Sequence, residues 1–261
     1  MEKAEFLKTL PTVNQLYVLV NNLTKMPHVH CEQETFDDVV TMYEKKEDVE
    51  AAAKQLIQEN IPCGILVIVQ KTMGAFYLDL MLMGANRVDF VMEDGTHAIE
   101  LGDIIRRKDD DEIPEGKRPI ENPELKLSMM YFFQEMRKDI PAEEKKNTAN
   151  LEEEMIINIM RATYIMPIME VERENGEKAQ TFLQLKNPEG DNYIAAFTDT
   201  VEYNRFVKDG QRMPIVPATF EKLLDLRNTS AKGIVINPAG INVVLTNENL
   251  TKFEEAFELP S

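Results

Sequence analysis

Three histidines and two cysteines are the scarce side chains in this 261-residue sequence, and chemistry would be sought there first. His28 and His30 lie two apart, so on a strand they share one face while Cys31 points away. A metal site would need His97, Cys63 or a carboxylate to join them. The paired two- to four-residue spacing of zinc modules is missing, so the histidines read as ordinary strand residues. Cys63 follows Pro62 at a helix-to-strand turn. Neither a cationic neighbour nor a helix N-terminus is there to form a thiolate, so the expectation is a buried structural thiol. Gly64, Gly74 and Gly84 are too widely spaced to cradle a dinucleotide, and no phosphate loop is present. The serines are Ser128, Ser230 and Ser261, none in a nucleophile elbow. The acidic run 109–112 lacks the glycine turn of a calcium loop and reads as solvated. The expectation is therefore no catalytic, cofactor or metal residues. An enzyme alternative would draw on Asp199, Tyr203 and Arg205 with the first-half histidines.

The formal charge is −17, from 29 Lys and Arg against 46 Asp and Glu. So acidic a surface repels phosphate, which argues against nucleic acid and anionic membrane and suits a basic partner. Two cysteines exclude a disulfide scaffold and fit a reducing compartment. Residues 1–10 lack the apolar core and cleavage site of a signal peptide. The longest apolar run, 65–69, falls far short of the ~20 residues of a spanning helix. The expected location is the cytoplasm.

The elements that would hold such residues alternate between strand and helix patterns. In the first half, 15–20, 28–31 and 38–43 read as strands, 46–60 as a helix, 65–69 as a strand and 75–83 as a helix. A hairpin follows around Glu93-Asp-Gly95. Because 65–69 is apolar on both faces, it reads as a central strand. The second half repeats the order. Helix 151–162 precedes a hairpin around 174–177, strand 193–197, helix 201–207, strand 213–216 and helix 219–227. A hairpin around Asn237-Pro-Ala-Gly240 and helix 249–257 close the chain. The fold class is α/β (α+β): two related mixed-sheet modules with helices packed on them, joined by a helical linker. The expected domains are 1–140, including an amphipathic helix at 122–138, a linker at 141–150, and 151–261.

Two places read as interaction surfaces. On helix 122–138, capped by Asn122 with Pro123 at its first position, Met129, Phe132, Phe133 and Met136 fall on one face. Flexible thioethers and aromatics suit a groove for a partner helix. At 237–240, Asn237 and Pro238 favour a turn that Gly240 ends, and such a hairpin tip can meet a partner.

Tyr193-Ile-Ala-Ala-Phe-Thr-Asp199, followed by Gly233-Ile-Val-Ile-Asn-Pro-Ala-Gly240, resembles the SseB N-terminal domain family. A strand ending in Phe-Thr and a later strand running into Asn-Pro stand in the family's order. The likeness covers about 151–255. The first half looks like a divergent copy, with Tyr43-Glu44 in place of Phe197-Thr198 and Glu93-Asp-Gly95 in place of the Asn-Pro turn. The resemblance implies an uncharacterised bacterial protein and brings no catalytic residues with it. The expected function is a non-catalytic binding, adaptor or regulatory module whose partner is another protein, with a homo-oligomer as a further option. An acidic immunity- or antitoxin-like protein is the alternative to that reading, beside the enzyme.

Overall fold

The structure is a computed structural model and describes residues 2–107, 113–114, 118–172, 176, 178–207 and 212–257. The acidic run 109–112 and most of the expected 174–177 turn lie outside the described residues. The chain forms two compact units, one of Met1–Arg118 with Lys126–Leu151, the other of Pro119–Leu125 with Glu152–Ser261.

The N-terminal unit opens with α1 (Lys3–Thr9), then β1 (Gln15–Asn21), β2 (Met26–Pro27), β3 (His30–Cys31) and β4 (Asp38–Tyr43). Next come α2 (Lys46–Gln58), β5 (Cys63–Val69), α3 (Gln70–Met83), β6 (Arg87–Met92), β7 (Gly95–Glu100) and α4 (Leu101–Ile104). These strands form one seven-stranded sheet in which β4 and β6 are parallel. β1 carries β5 along one side and β2 and β4 along the other. The core fills with Leu16, Val18, Val40, Met42, Leu80, Val88 and Phe90, all buried. Phe6 of α1 closes it, 5.2 Å from Phe90 and stacked at 4.3 Å on His97.

Strand β5 is not central. All seven of its residues pair with β1, and among the described residues no strand pairs with its other side, so it forms an edge of the sheet. Apolar residues on both faces suggest burial on both faces, but a side-chain pattern does not specify how many strand neighbours the backbone has. Helix α3 also starts earlier than its apolar spacing suggests, directly off β5, because Gly74 and the polar residues 70–72 hide its first turn. Gly84 ends it at φ 102°, a left-handed cap that glycine reaches without steric cost.

Helix α5 (Pro123–Met136) follows, and α6 (Thr148–Arg161) leads into β8 (Thr163–Glu172). The C-terminal unit continues with β9 (Lys178–Phe182), β10 (Gln184–Lys186), β11 (Asn192–Ala196), α7 (Thr200–Val207) and β12 (Ile215–Thr219). It ends with α8 (Phe220–Asp225), β13 (Gly233–Ile236), β14 (Val243–Thr246) and α9 (Asn247–Phe257). One sheet runs β10-β11-β13-β14, with β11 and β13 parallel, and the other β12-β8-β9. An isolated bridge between Ile165 and Phe197 joins them. Phe197 sits at the heart of this core, with Tyr203 at 5.5 Å and Phe206 at 5.4 Å.

The pairings of the two units coincide. β1–β5 has its counterpart in β8–β12, β4–β6 in β11–β13, β6–β7 in β13–β14, and β3–β4 in β10–β11. Residues 141–150 fall with the N-terminal unit, where Lys145 donates to the Met136 carbonyl at 2.6 Å and the Lys146 amide to Glu135 at 2.7 Å. Asn122, directly before α5, donates its side-chain amide to the carbonyls of Thr163 (2.8 Å) and Thr198 (2.6 Å).

Gly233 begins β13 where any side chain would collide with the Leu245 carbonyl of β14. Gly233→Ala should therefore cost roughly 2–3 kcal/mol, read as a lower urea midpoint, because neither strand can retreat without breaking the pair.

Candidate functional site

The residues singled out in the C-terminal unit converge on the ends of its two parallel strands. Strand β11 ends at Ala196, and the chain continues through Phe197 and Thr198 to Asp199, all buried. Strand β13 ends at Ile236, and Asn237 follows in the left-handed region at φ 50°. Asparagine tolerates that conformation better than most side chains. It is 2% exposed, and its amide clamps Thr198 from two directions. The Thr198 backbone N–H donates to Asn237 Oδ1 at 3.0 Å, and Asn237 Nδ2 donates to Thr198 Oγ1 at 2.9 Å. The Thr198 hydroxyl then donates to Asp199 Oδ2 at 3.0 Å. Asp199 Oδ1 accepts from the amides of Val201 (2.8 Å) and Glu202 (2.9 Å), so this carboxylate caps α7.

Beside the clamp, the buried Glu202 accepts from Arg205 Nη1 at 2.7 Å. Gly240 packs so closely that a side chain there would strike the Glu202 carboxylate. The turn itself closes with the Gly240 amide donating to the Asn237 carbonyl at 2.9 Å. Tyr203 exchanges hydrogen bonds with Met213, its hydroxyl donating to the carbonyl at 3.1 Å and accepting from the amide at 2.9 Å. The enzyme alternative's residues in this unit are thus all engaged in holding the fold, since Asp199 caps α7, Arg205 pairs with Glu202 and Tyr203 tethers Met213.

The N-terminal unit solves the same joint differently. Glu44 follows β4, and its carboxylate accepts from the Glu93 amide in the turn after β6 at 2.9 Å. A carboxylate and a backbone N–H there replace the Asn237–Thr198 clamp.

The Met-rich face of α5 is mostly spent on packing. Met129 and Phe132 are buried, Phe133 is half-buried under the Arg137 guanidinium at 4.4 Å, and Met136 is exposed. Asn237 is internal, while Pro238 and Gly240 are partly exposed. The more continuous exposed apolar surface is on β5, where Ile65, Leu66, Val67 and Val69 are 36–45% exposed. Their apolar run is visible in the sequence; their exposure is not.

His28 and His30 do share a side, with ring centroids 6.3 Å apart, although only His30 belongs to a strand. His97 does not join them; its Nε2 lies 2.9 Å from Asp94 Oδ1. Among the described residues no cluster of His, Cys, Asp or Glu could hold a metal ion. Cys63 is half-buried, with Sγ 3.7 Å from the Ala53 carbonyl, and burial pushes its thiol up. Among the described residues no helix is long and apolar enough to cross a membrane.

Residues 142–252 match the family model of the SseB protein N-terminal domain. The C-terminal half of the chain is thus similar to the SseB N-terminal domain. Phe197-Thr198-Asp199 and Asn237-Pro238, both within the matched range, are the two sides of the buried clamp. No curated protein matches the chain. Two solved structures are similar at low superposition scores. Tic22 from Anabaena, described as protein transport, is 11% identical over 100% of this chain and 99% of its own, with a TM-score of 0.22. Tic22 from Plasmodium falciparum is 11% identical over 98% of each chain, with a TM-score of 0.23.

Burial, with the neighbouring His30 adding to it, pushes His28 from 6.5 down to about 4, against a hydrogen bond to Gln134. The unfolded chain binds a proton at His28 below pH 6.5 that the folded chain refuses until about pH 4. Its contribution is therefore intact above pH 6.5 and declines as pH falls towards 4, by up to about 3 kcal/mol. Urea melts of His28→Gln should show a correspondingly shallower loss of stability across that window than the wild type.

Proposed function

We propose that this protein is a non-catalytic binding module. Its N-terminal unit takes up an extended, uncharged or basic segment of another protein as a new strand on β5. The supporting observation is the edge itself. β5 is seven residues long, Cys63-Gly-Ile-Leu-Val-Ile-Val69, with no charge and no proline. Edge strands are ordinarily blunted by charge, proline or brevity, because their open N–H and C=O groups otherwise recruit any extended chain. The counterpart edge in the C-terminal unit is blunted in that way: β12 has five residues with Pro217 in the middle. The same position in the same pairing scheme is thus closed in one unit and open in the other.

Charge selects the occupant. The net charge of −17 sets copies of this chain against one another and favours a segment that is neutral or basic. Helix α2, packed against β5, adds Glu47, Asp48 and Glu50. Main-chain hydrogen bonds would supply affinity, and alternate side chains of the added strand would cover Ile65, Val67 and Val69. The matching pairings also support reading the two units as copies of one ancestral block, of which the N-terminal one turned its edge to binding. Two free cysteines, one of them exposed, suit a cytoplasmic setting.

The probe is a capped ten-residue peptide of alternating valine and lysine. It should slow hydrogen exchange of the β5 amides. Val67→Lys should weaken its binding at least about tenfold, while Val67→Thr stays near wild type. Unchanged exchange at β5, or equal affinity in Val67→Lys, overturns the proposal. So does a concentration-dependent dimer that Val67→Lys abolishes, since the edge then belongs to a second copy. Binding that collapses with modest salt at unchanged β5 exchange transfers recognition to the acidic surface.

A further inference from the structure

In an antiparallel pair, opposite residues alternate between those that exchange both backbone hydrogen bonds and those whose groups point away from the partner strand. Two bonds just outside the β1–β5 ladder set its phase. The Asn22 amide donates to the Pro62 carbonyl at 2.8 Å, and the Gln70 amide to the Asn14 carbonyl at 2.8 Å. The register between them is unbroken, with Gln15 opposite Val69 and Asn21 opposite Cys63. Both ends give the same parity. Gly64, Leu66 and Ile68 turn their N–H and C=O groups to β1, while Cys63, Ile65, Val67 and Val69 turn theirs to the free edge. The Thr72 hydroxyl donates to the Val69 carbonyl at 3.0 Å and closes that end of the edge. Ile65 and Val67 keep both groups open, since no strand among the described residues pairs there.

Side chains follow the same alternation. Cys63 Sγ lies 3.7 Å from the Ala53 carbonyl of α2, so residues 63, 65, 67 and 69 share the α2 side of the sheet. On that side Ile65, Val67 and Val69 are 38%, 45% and 36% exposed. On the opposite side Ile68 is buried, Gly64 has no side chain, and only Leu66 is exposed. The residues with open backbone groups are thus the ones whose apolar side chains lack cover.

An incoming antiparallel residue opposite Ile65 or Val67 exchanges both bonds with it and places its own side chain on the same α2 side. In a parallel arrangement the bonded residues would be the flanking ones, whose side chains point to the opposite side, and that pairing is the weaker per residue. Resting on the edge reading above, we propose that β5 accepts a segment of another protein in the antiparallel direction, with apolar residues at alternate positions opposite Ile65 and Val67, and that these apolar residues supply the main-chain bonds. The intervening residues face the opposite side of the sheet and turn their N–H and C=O groups to solvent. They are free to be lysine, which the net charge of −17 favours, or proline, which has no N–H to give. Proline at the apolar positions is excluded.

The test uses the full chain and the capped ten-residue valine–lysine peptide in three forms: unmodified, N-methylated at every valine, and N-methylated at every lysine. An N-methyl group removes a donor and blocks approach on its own edge of the peptide only. The unmodified and lysine-methylated forms should bind within about threefold of each other, and the valine-methylated form at least about tenfold more weakly. With wild-type protein the unmodified peptide should slow hydrogen exchange most at the Ile65 and Val67 amides, not at Leu66 and Ile68. Val67→Pro removes an outward N–H and leaves the β1 ladder whole, so it should keep Tm near wild type and lose the peptide. Binding that survives valine methylation but not lysine methylation overturns the proposal in favour of parallel entry and leaves the edge reading standing. Equal weakening by both, protection confined to Leu66 and Ile68, or normal binding by Val67→Pro overturns it too. An unmodified peptide that leaves every β5 amide unprotected removes the edge reading, and this proposal with it.

Discussion

A parallel pair of strands cannot be joined by a tight turn, and both units of this protein are built around one. β4 must reach β6, and β11 must reach β13, by a long excursion. In each unit that excursion is helix, strand, helix, and its strand is delivered to the far side of the first strand of the unit. The edge position of β5 and β12 follows from this connectivity. What differs is the dressing of the two edges: proline and brevity on β12, an uninterrupted apolar run on β5.

The same parallel pair creates a second requirement, because its two strands end side by side and their last backbone groups need partners. The C-terminal unit meets it with Asn237 and Thr198, buried, with Asp199 carrying the joint into α7. The N-terminal unit meets it with Glu44 against the Glu93 amide. Asn237, Thr198, Asp199 and Glu44 are thus occupied in holding strand ends.

Much of this is legible in residue patterns. Apolar strand patterns mark β1, β4, β6 and β11, and Asp94-Gly95 marks the turn between β6 and β7, because these depend on neighbours close in sequence. The position of β5 is not legible, since a run such as Ile65-Leu-Val-Ile-Val69 suits a central strand and an open edge alike. Asn237 is legible as a turn residue, but its grip on Thr198, 39 residues away, is not. Nor is the burial of the Tyr77 hydroxyl without a hydrogen-bond partner. The α5 face is a further case. Its spacing gives an amphipathic helix, but spacing does not say that Met129 and Phe132 are buried while Met136 is exposed.

The clamp has a consequence for how the protein ages. Asparagine side chains deamidate when the next residue's backbone nitrogen attacks the amide carbon and closes a succinimide ring. The residue after Asn237 is Pro238, whose nitrogen carries no hydrogen and is already locked in a ring. The one amide on which the joint between β11 and β13 depends is therefore closed to that route of chemical decay, however long the folded chain persists.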